Sequence, residues 1–196
     1  MKITLRIAAP EDARLIHDAY GHYVSSTTTT FNEVNPGVEE RAAMISRQLE
    51  TYPYLIAQDG SGRFLGYACA EPFRPETGYR YCAELTIFLT PDAPRRSGVG
   101  RRLYEALLPF LARQGFRQAV AVITSTNEAS LALHRAFGFA EGARLSHTGY
   151  KHGQWLDSVW MVKQLNAFDP DPAPVTPFSQ CRAEMEAWLA AMNAEA

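Results

Sequence analysis

The sequence predicts an α/β architecture built on a mixed sheet, and three observations carry that prediction. Ile3, Leu5 and Ile7 alternate with polar residues, the period-two pattern of a half-buried strand. Val99, Leu103, Ala106, Leu107, Phe110 and Leu111 recur at helical spacing instead. Strand-like and helix-like runs alternate along the chain. Two middle strands, over 54–57 and 64–70, are joined by the short turn Asp59-Gly60-Ser61-Gly62, so the sheet is not purely parallel.

After the first strand, Pro10 suits the opening turn of a helix, where its missing N–H is no loss. Glu11 and Asp12 complement the dipole at that end. Ala13, Ile16, Ala19 and Tyr20 give this helix its apolar stripe. Residues 21–37 are expected as one long irregular stretch, a length that favours a functional loop. A second helix is predicted over 38–49, a loop over 72–80 and a strand over 81–90 that Pro91 stops. The helix over 98–114 should kink or nearly end at Pro109, which deletes a backbone donor and clashes one turn back. A strand over 118–123, a helix over 128–137 closed by Gly138, and strands near 143–147 and 155–163 complete the domain.

Residues 1–166 are thus expected as one domain, 167–178 as a stiff proline-rich linker and 179–196 as a terminal amphipathic helix. Met185, Trp188, Leu189 and Met192 lie along one side of that helix, a stripe that must bury against the body or a partner chain.

The 196 residues suit a single domain. Nineteen Lys+Arg against 21 Asp+Glu give a formal charge of −2, which argues against a nucleic-acid binder. No apolar run approaches the roughly 18 residues of a membrane span, and residues 1–6 show no secretion signal. Cys69, Cys82 and Cys181 are an odd number without metal-like spacing, so reduced thiols, a cytoplasmic setting and no metal are expected.

The sharpest local feature is Arg95-Arg96-Ser97-Gly98-Val99-Gly100, between a strand and a helix. Two glycines let backbone approach a ligand closely, the first N–H groups of the helix are free, and two arginines add charge. That suits a pyrophosphate. A plain glycine-rich turn with solvated arginines fits the same spacing, and both readings stand open at this point. A Rossmann site would need a third glycine and a later acidic residue, and a P-loop would need Gly-Lys-Ser/Thr.

This run resembles the pyrophosphate signature of the GCN5-related N-acetyltransferases (GNAT family). Within them the chain is similar to the phosphinothricin acetyltransferase branch. Tyr52-Pro53-Tyr54-Leu55, Gly66-Tyr67-Ala68, Leu103-Tyr104-Glu105-Ala106-Leu107-Leu108, Gln114-Gly115-Phe116-Arg117, Leu133-His134-Arg135 and Gly149-Tyr150-Lys151-His152-Gly153 carry the likeness from about Ile3 to Leu165. Tyr81-Cys82-Ala83-Glu84 departs from the branch's usual Trp-Thr-Val-Glu. Trp155-Leu156-Asp157 is similar to relatives that acetylate methionine sulfoximine and sulfone.

The resemblance implies a GNAT-type, mostly antiparallel sheet, splayed in the middle and flanked by helices. It implies acetyl-CoA as cosubstrate, with backbone of Ile87, Phe88 and Leu89 holding the pantetheine arm. The loop from Arg95 through Arg96, Ser97, Gly98, Val99, Gly100 and Arg101 would hold the pyrophosphate. It also suggests a homodimer.

In the strand over 81–90, Glu84, Thr86 and Phe88 share one face. A carboxylate there is costly unless paired or open to a cleft, and burial raises its pKa, as a general base requires. Glu84 is the candidate base, at the position where the resemblance places it, with a salt bridge at a wet strand edge as the other reading. Asn127, Ser130 and His134 fall within an arc of about 60° on the later helix. Asn127 suits an N-cap, and the resemblance adds a contact to the pantetheine arm. His134 stands where many relatives carry a proton-donating tyrosine; a hydrogen-bonded structural histidine fits equally. Phe31, Phe73, Tyr79 and Thr86 are expected to line the acceptor pocket, with Arg74 fixing a carboxylate; filling the core is the alternative for the aromatics. The reading is an acetyl-CoA-dependent N-acetyltransferase of a small amino acid or analogue, a small-molecule amine. A peptide N-terminal acetyltransferase and a non-catalytic acyl-CoA sensor are the alternatives.

Overall fold

The computed structural model describes residues 1–94 and 96–195. Among the described residues the chain runs through β1 (Ile3–Ile7), a 3₁₀ turn (Pro10–Asp12), α1 (Ala13–Ser26), α2 (Val38–Thr51), β2 (Tyr54–Asp59) and β3 (Phe64–Pro72). A second 3₁₀ turn (Thr77–Tyr79) precedes β4 (Cys82–Leu89), α3 (Val99–Gln114), β5 (Gln118–Thr124) and α4 (Glu128–Ala136). The long hairpin β6 (Ala140–Lys151) and β7 (Gln154–Gln164) follows, and then α5 (Phe178–Ala194).

The strands form one sheet in the order β1-β2-β3-β4-β5-β7-β6. Neighbours are antiparallel except β4 and β5, which run parallel and pair only from Cys82 to Glu84 against Gln118 to Val120. Beyond Glu84 the two strands part, so the mixed, mostly antiparallel sheet opens in its middle. Tyr20 and Tyr23 of α1 pack on Phe88 with ring centroids 5.0 and 4.9 Å away, covering one face of β4. On the other face α3 buries Leu103, Leu107, Phe110 and Leu111. A side chain at Gly66 would meet the Phe88 carbonyl oxygen at 2.5 Å, and its φ of +149° disfavours other residues, so glycine lets β3 and β4 close up.

Three expectations are corrected. The first helix does not end near Tyr20: α1 continues to Ser26, because Tyr23 and Val24 prolong its apolar stripe, and only residues 27–37 are irregular. Pro109 does not stop α3. It lies on the exposed side of the helix, one turn after the half-exposed Glu105 whose carbonyl it cannot pair, and the helix runs on to Gln114. The buried stripe of α5 is Phe178, Cys181, Met185 and Leu189, while Trp188 turns outward at 37% exposure.

That stripe buries against the chain's own α2, α3 and β1. Asn193 then grips the open edge of β1. Its Oδ1 accepts from the Leu5 N–H at 2.9 Å, and its Nδ2 donates to the Leu5 carbonyl at 2.8 Å. Arg102 of α3 donates to the Met192 carbonyl near the end of the same helix. Among the described residues no helix is long and apolar enough to cross a membrane.

Candidate active site

The opening between β4 and β5 continues into a cavity of about 340 Å³. Its walls come from both faces of the sheet: Tyr20, Thr30 and Phe31 with Arg41 on one side, Ser130 and His134 on the other, and Glu71, Glu84 and Thr86 between them. Of the residues singled out from sequence, Glu84, Thr86, Ile87, Phe88, Phe31, Asn127, Ser130 and His134 meet in this one space.

Glu84 faces the cavity from the last paired position of β4. Burial pushes its carboxyl pKa up, the charge of Glu71 directly across on β3 pushes it further, and Arg74 opposes both. Arg74 Nη1 lies 3.5 Å from Glu84 Oε2. Its guanidinium also stacks 4.4 Å from the Phe73 ring and 5.0 Å from Trp160. Phe73 and Tyr79 meet edge to face at 5.5 Å, so Phe73, Arg74, Tyr79 and Trp160 form an aromatic cluster beside Glu84. Tyr79 is 48% exposed and lines a separate small cavity with Tyr81, Phe168 and Pro172.

On the opposite side Asn127 caps α4, its Oδ1 accepting from the Ser130 N–H at 3.2 Å. One turn later His134 is buried. Its Nδ1 is 2.7 Å from the Ser130 carbonyl, which can only accept, so Nδ1 carries the hydrogen. Nε2 therefore accepts from the Tyr104 hydroxyl at 2.8 Å. Burial lowers the His134 pKa, the Ser130 carbonyl partly offsetting it, so the neutral ring is favoured.

Gly98, with φ of +86°, leads into α3, and among the described residues Arg102 is the first there whose N–H bonds back, to the Gly98 carbonyl at 2.9 Å. The N–H groups of Val99, Gly100 and Arg101 precede that bond and lie at the positive end of the helix. Arg96 also takes a left-handed φ of 57°, so left-handed positions stand on either side of Ser97, an alternation suited to binding an anion with backbone N–H groups. Arg96 is exposed and Ser97 half-buried; Arg95 lies outside the described residues. A side chain at Gly100 would come 3.2 Å from Leu133 and 3.6 Å from Ile87, so the loop abuts both walls of the opening. The chemistry of this donor set fits a diphosphate, and an extended amide-bearing arm fits the unpaired side of β4 from Ile87 to Leu89.

The wall formed by the Thr28–Phe31 loop is tied to the sheet. The Lys151 ammonium, buried, donates to the Thr30 carbonyl at 2.9 Å, and Thr124 donates to the Thr28 carbonyl at 2.6 Å. The Phe31 ring sits directly on Gly149. Sequence reasoning passed over Glu71, Arg41, Tyr104 and Trp160. Glu71 falls just past the strand expected over 64–70, and only the β3–β4 register sets it opposite Glu84.

The family model described as an acetyltransferase (GNAT) domain matches residues 5–160. The chain belongs to the GNAT acetyltransferase family and is an enzyme of the acyltransferase class. It is 38% identical over 168 residues to a phosphinothricin N-acetyltransferase of Alcaligenes faecalis, covering 85% of this chain and 84% of that protein. It is 35% identical to an L-methionine sulfoximine/L-methionine sulfone acetyltransferase of Pseudomonas aeruginosa, over 89% of this chain and all of the relative. The crystal structure of a phosphinothricin acetyltransferase from Sinorhizobium meliloti in complex with acetyl-CoA superimposes with a TM-score of 0.83 at 37% identity, covering 91% of this chain and 99% of that one.

Proposed function

We propose that this enzyme transfers acetyl from acetyl-CoA to the α-amine of a small amino acid or analogue, with phosphinothricin and methionine sulfoximine or sulfone as model acceptors. The observation that carries the proposal is Glu84, a half-buried carboxylate of raised pKa at the point where β4 and β5 part. In this reading the N–H groups from Arg96 to Arg101 take the diphosphate. The β4 backbone at Ile87, Phe88 and Leu89 takes the pantetheine arm, flanked by Asn127 and Ser130. Phe31 and Thr86 shape the acceptor side, with the cluster of Phe73, Arg74 and Tyr79 at its rim.

A primary amine at neutral pH is mostly ammonium and cannot attack until it loses a proton. Glu84 takes that proton, directly or through water, and the amine attacks the thioester carbonyl within a ternary complex. A β4 N–H group stabilises the oxyanion that forms. As the adduct collapses, its second amine proton passes through water beside His134 to the departing thiolate, and Glu84 returns the first to solvent, so the transfer balances without a covalent enzyme intermediate. Base catalysis contributes about 10²–10⁴-fold. Alignment of amine and thioester contributes up to about 7–11 kcal/mol, so positioning outweighs the base.

The exposed Leu145, Tyr150 and Trp155 of the β6–β7 hairpin form an apolar surface suited to a second copy, giving a homodimer. Three buried free cysteines suit a reducing, cytoplasmic setting. The test is a panel of amino acids, analogues and peptides assayed for release of the CoA thiol. Turnover with small amino acids is expected. Acetylation of peptides alone, or tight acetyl-CoA binding without thiol release, would overturn the reading.

A further inference from the structure

Glu71 and Glu84 occupy directly opposed positions on β3 and β4, so their carboxylates share one face and open into one cavity. Opposed cross-strand residues have Cβ atoms about 4.5–5.5 Å apart, where like charges destabilise each other. A purely structural pair at such a place would be neutralised closely. Here Glu71 has a 3.4 Å hydrogen bond from Thr86 Oγ1, and Glu84 has Arg74 at 3.5 Å. Across the same cavity stands Arg41 of α2, which is 7% exposed. Among the described residues only its Nη2 has a side-chain partner, Asn35 Oδ1 at 3.2 Å, and its Nε is buried without one. The guanidinium lies 4.9 Å over the Tyr20 ring, which fixes its plane. Two acidic groups and one basic group therefore face a common space without closing on one another. Buried charges are costly unless paired, and this distribution complements the two ends of an amino-acid headgroup.

We propose that Glu71 is a second acidic residue of the acceptor site: with Glu84 it seats the ammonium of a zwitterionic acceptor, whose carboxylate rests against Arg41. This rests on the acetyl-transfer reading and specifies the acceptor end of that site. It makes Glu71 and Arg41 specificity determinants, with Glu84 remaining the base.

The seat has a pH consequence. Besides Glu84 and Thr86 of β4, Glu71 faces Arg41 and Gln48 of α2, Tyr54 of β2, and Tyr67 and Cys69 of its own strand. Glu84 is further bounded by Arg74 and Cys82. Removing the Glu71 charge takes away one cause that holds the Glu84 pKa up, so the base becomes available at lower pH.

The experiment compares an amino acid, its amide and its decarboxylated amine as acceptors for the wild type, Glu71→Gln, Glu71→Asp and Arg41→Met. The wild type should prefer the amino acid at least tenfold in kcat/KM, and Arg41→Met should erase that preference. Glu71→Gln should raise the acceptor KM at least tenfold, leave the acetyl-CoA KM unchanged and move the acid limb of kcat/KM to lower pH. Glu71→Asp should keep the limb in place. An unchanged acceptor KM and unchanged limb in Glu71→Gln overturn the proposal while acetyl transfer stands. Calorimetric titration of the amino acid into the wild type and Glu71→Gln separates the two readings. Weaker binding to the variant supports the seat even if no amine is acetylated, and equal binding overturns it.

Discussion

Replacing Gly149 by alanine tests how tightly the proposed acceptor wall is built. A Cβ at this position lies 2.2 Å from both Cδ1 and Cε1 of Phe31, closer than any tolerated contact. The ring cannot slide aside cheaply, because the loop leading into it is tied down at several points. The Thr28 carbonyl accepts from Thr124, the Thr30 carbonyl from Lys151, and Thr30 Oγ1 pairs with the Tyr20 hydroxyl at 2.8 Å. Overpacking of this kind costs about 1–3 kcal/mol. If the cost falls on the acceptor complex, it is about a 5- to 150-fold loss at 1.4 kcal/mol per factor of ten. Phe31 lines the cavity that holds Glu84 and Thr86, whereas the loop from Arg96 to Arg101 is built on α3. Steady-state release of the CoA thiol should therefore show acceptor kcat/KM falling within that range, with acetyl-CoA affinity unchanged by calorimetry. Adding Phe31→Ala should recover melting temperature without recovering acceptor affinity. A Gly149→Ala enzyme with wild-type acceptor KM and wild-type melting would refute the placement of Phe31.

Glu84→Gln should lower kcat/KM by about 10²–10⁴-fold and abolish an acid limb that, in the wild type, lies above the ordinary carboxylate range; full wild-type rates at pH 7 would exclude the base role. Asn193→Ala removes both partners of the Leu5 backbone and should cost about 1–3 kcal/mol. Because it bares a sheet edge, sedimentation should also detect larger species, and unchanged melting and sedimentation would count against the clasp. Burial pushes the Asp12 carboxyl up, but hydrogen bonds from Arg6 and the Ala9 N–H outweigh it and hold the pKa below its usual 3.8. The stability this contributes is complete above the unfolded value and disappears as pH falls through the folded value. Wild-type melting should drop more steeply than that of Asp12→Asn between about pH 5 and pH 2; parallel curves would dispose of the linkage.

Much of the fold is legible because burial follows local periodicity. The strands β2 and β3 announce themselves as apolar runs around a Gly-rich turn, and α3 as a stripe from Val99 to Leu111. Alternation alone groups Glu84, Thr86 and Phe88, and the helical step groups Asn127, Ser130 and His134; the structure brings both groups to one cavity. What local pattern misses is contact between elements. Pro109 looks like a helix breaker until its exposed position is known. Trp188 has the hydrophobicity of its neighbours, but the spacing of Phe178, Cys181, Met185 and Leu189 faces the body instead. Tyr104 sits inside an apolar stripe, and its partner His134 is 30 residues away on another helix. Glu71 and Arg41 gain their meaning only from the β3–β4 register and the docking of α2.

The opening in the sheet explains how a domain with an ordinary core keeps polar groups at its centre. β3 pairs with β4 as far as Leu89, while β5 lets go after Glu84. One side of β4 is therefore an interior edge, and buried backbone groups on such an edge need partners. Within the chain the Tyr23 hydroxyl supplies one, donating to the Leu89 carbonyl at 2.8 Å. The remainder is what an extended, amide-bearing arm satisfies, so the proposed cosubstrate acts as a missing strand rather than as cargo in a pit. At the start of α3, a Cβ on Gly100 would lie 3.2 Å from Leu133 of α4 and 3.6 Å from Ile87 of β4. A larger residue at position 100 would force Leu133 or α3 aside, and with it both the diphosphate loop and the wall that carries His134. In the proposed reading, glycine there would do two jobs: it bares amides for an anion, and it lets the helix holding them close against the gap between β4 and β5.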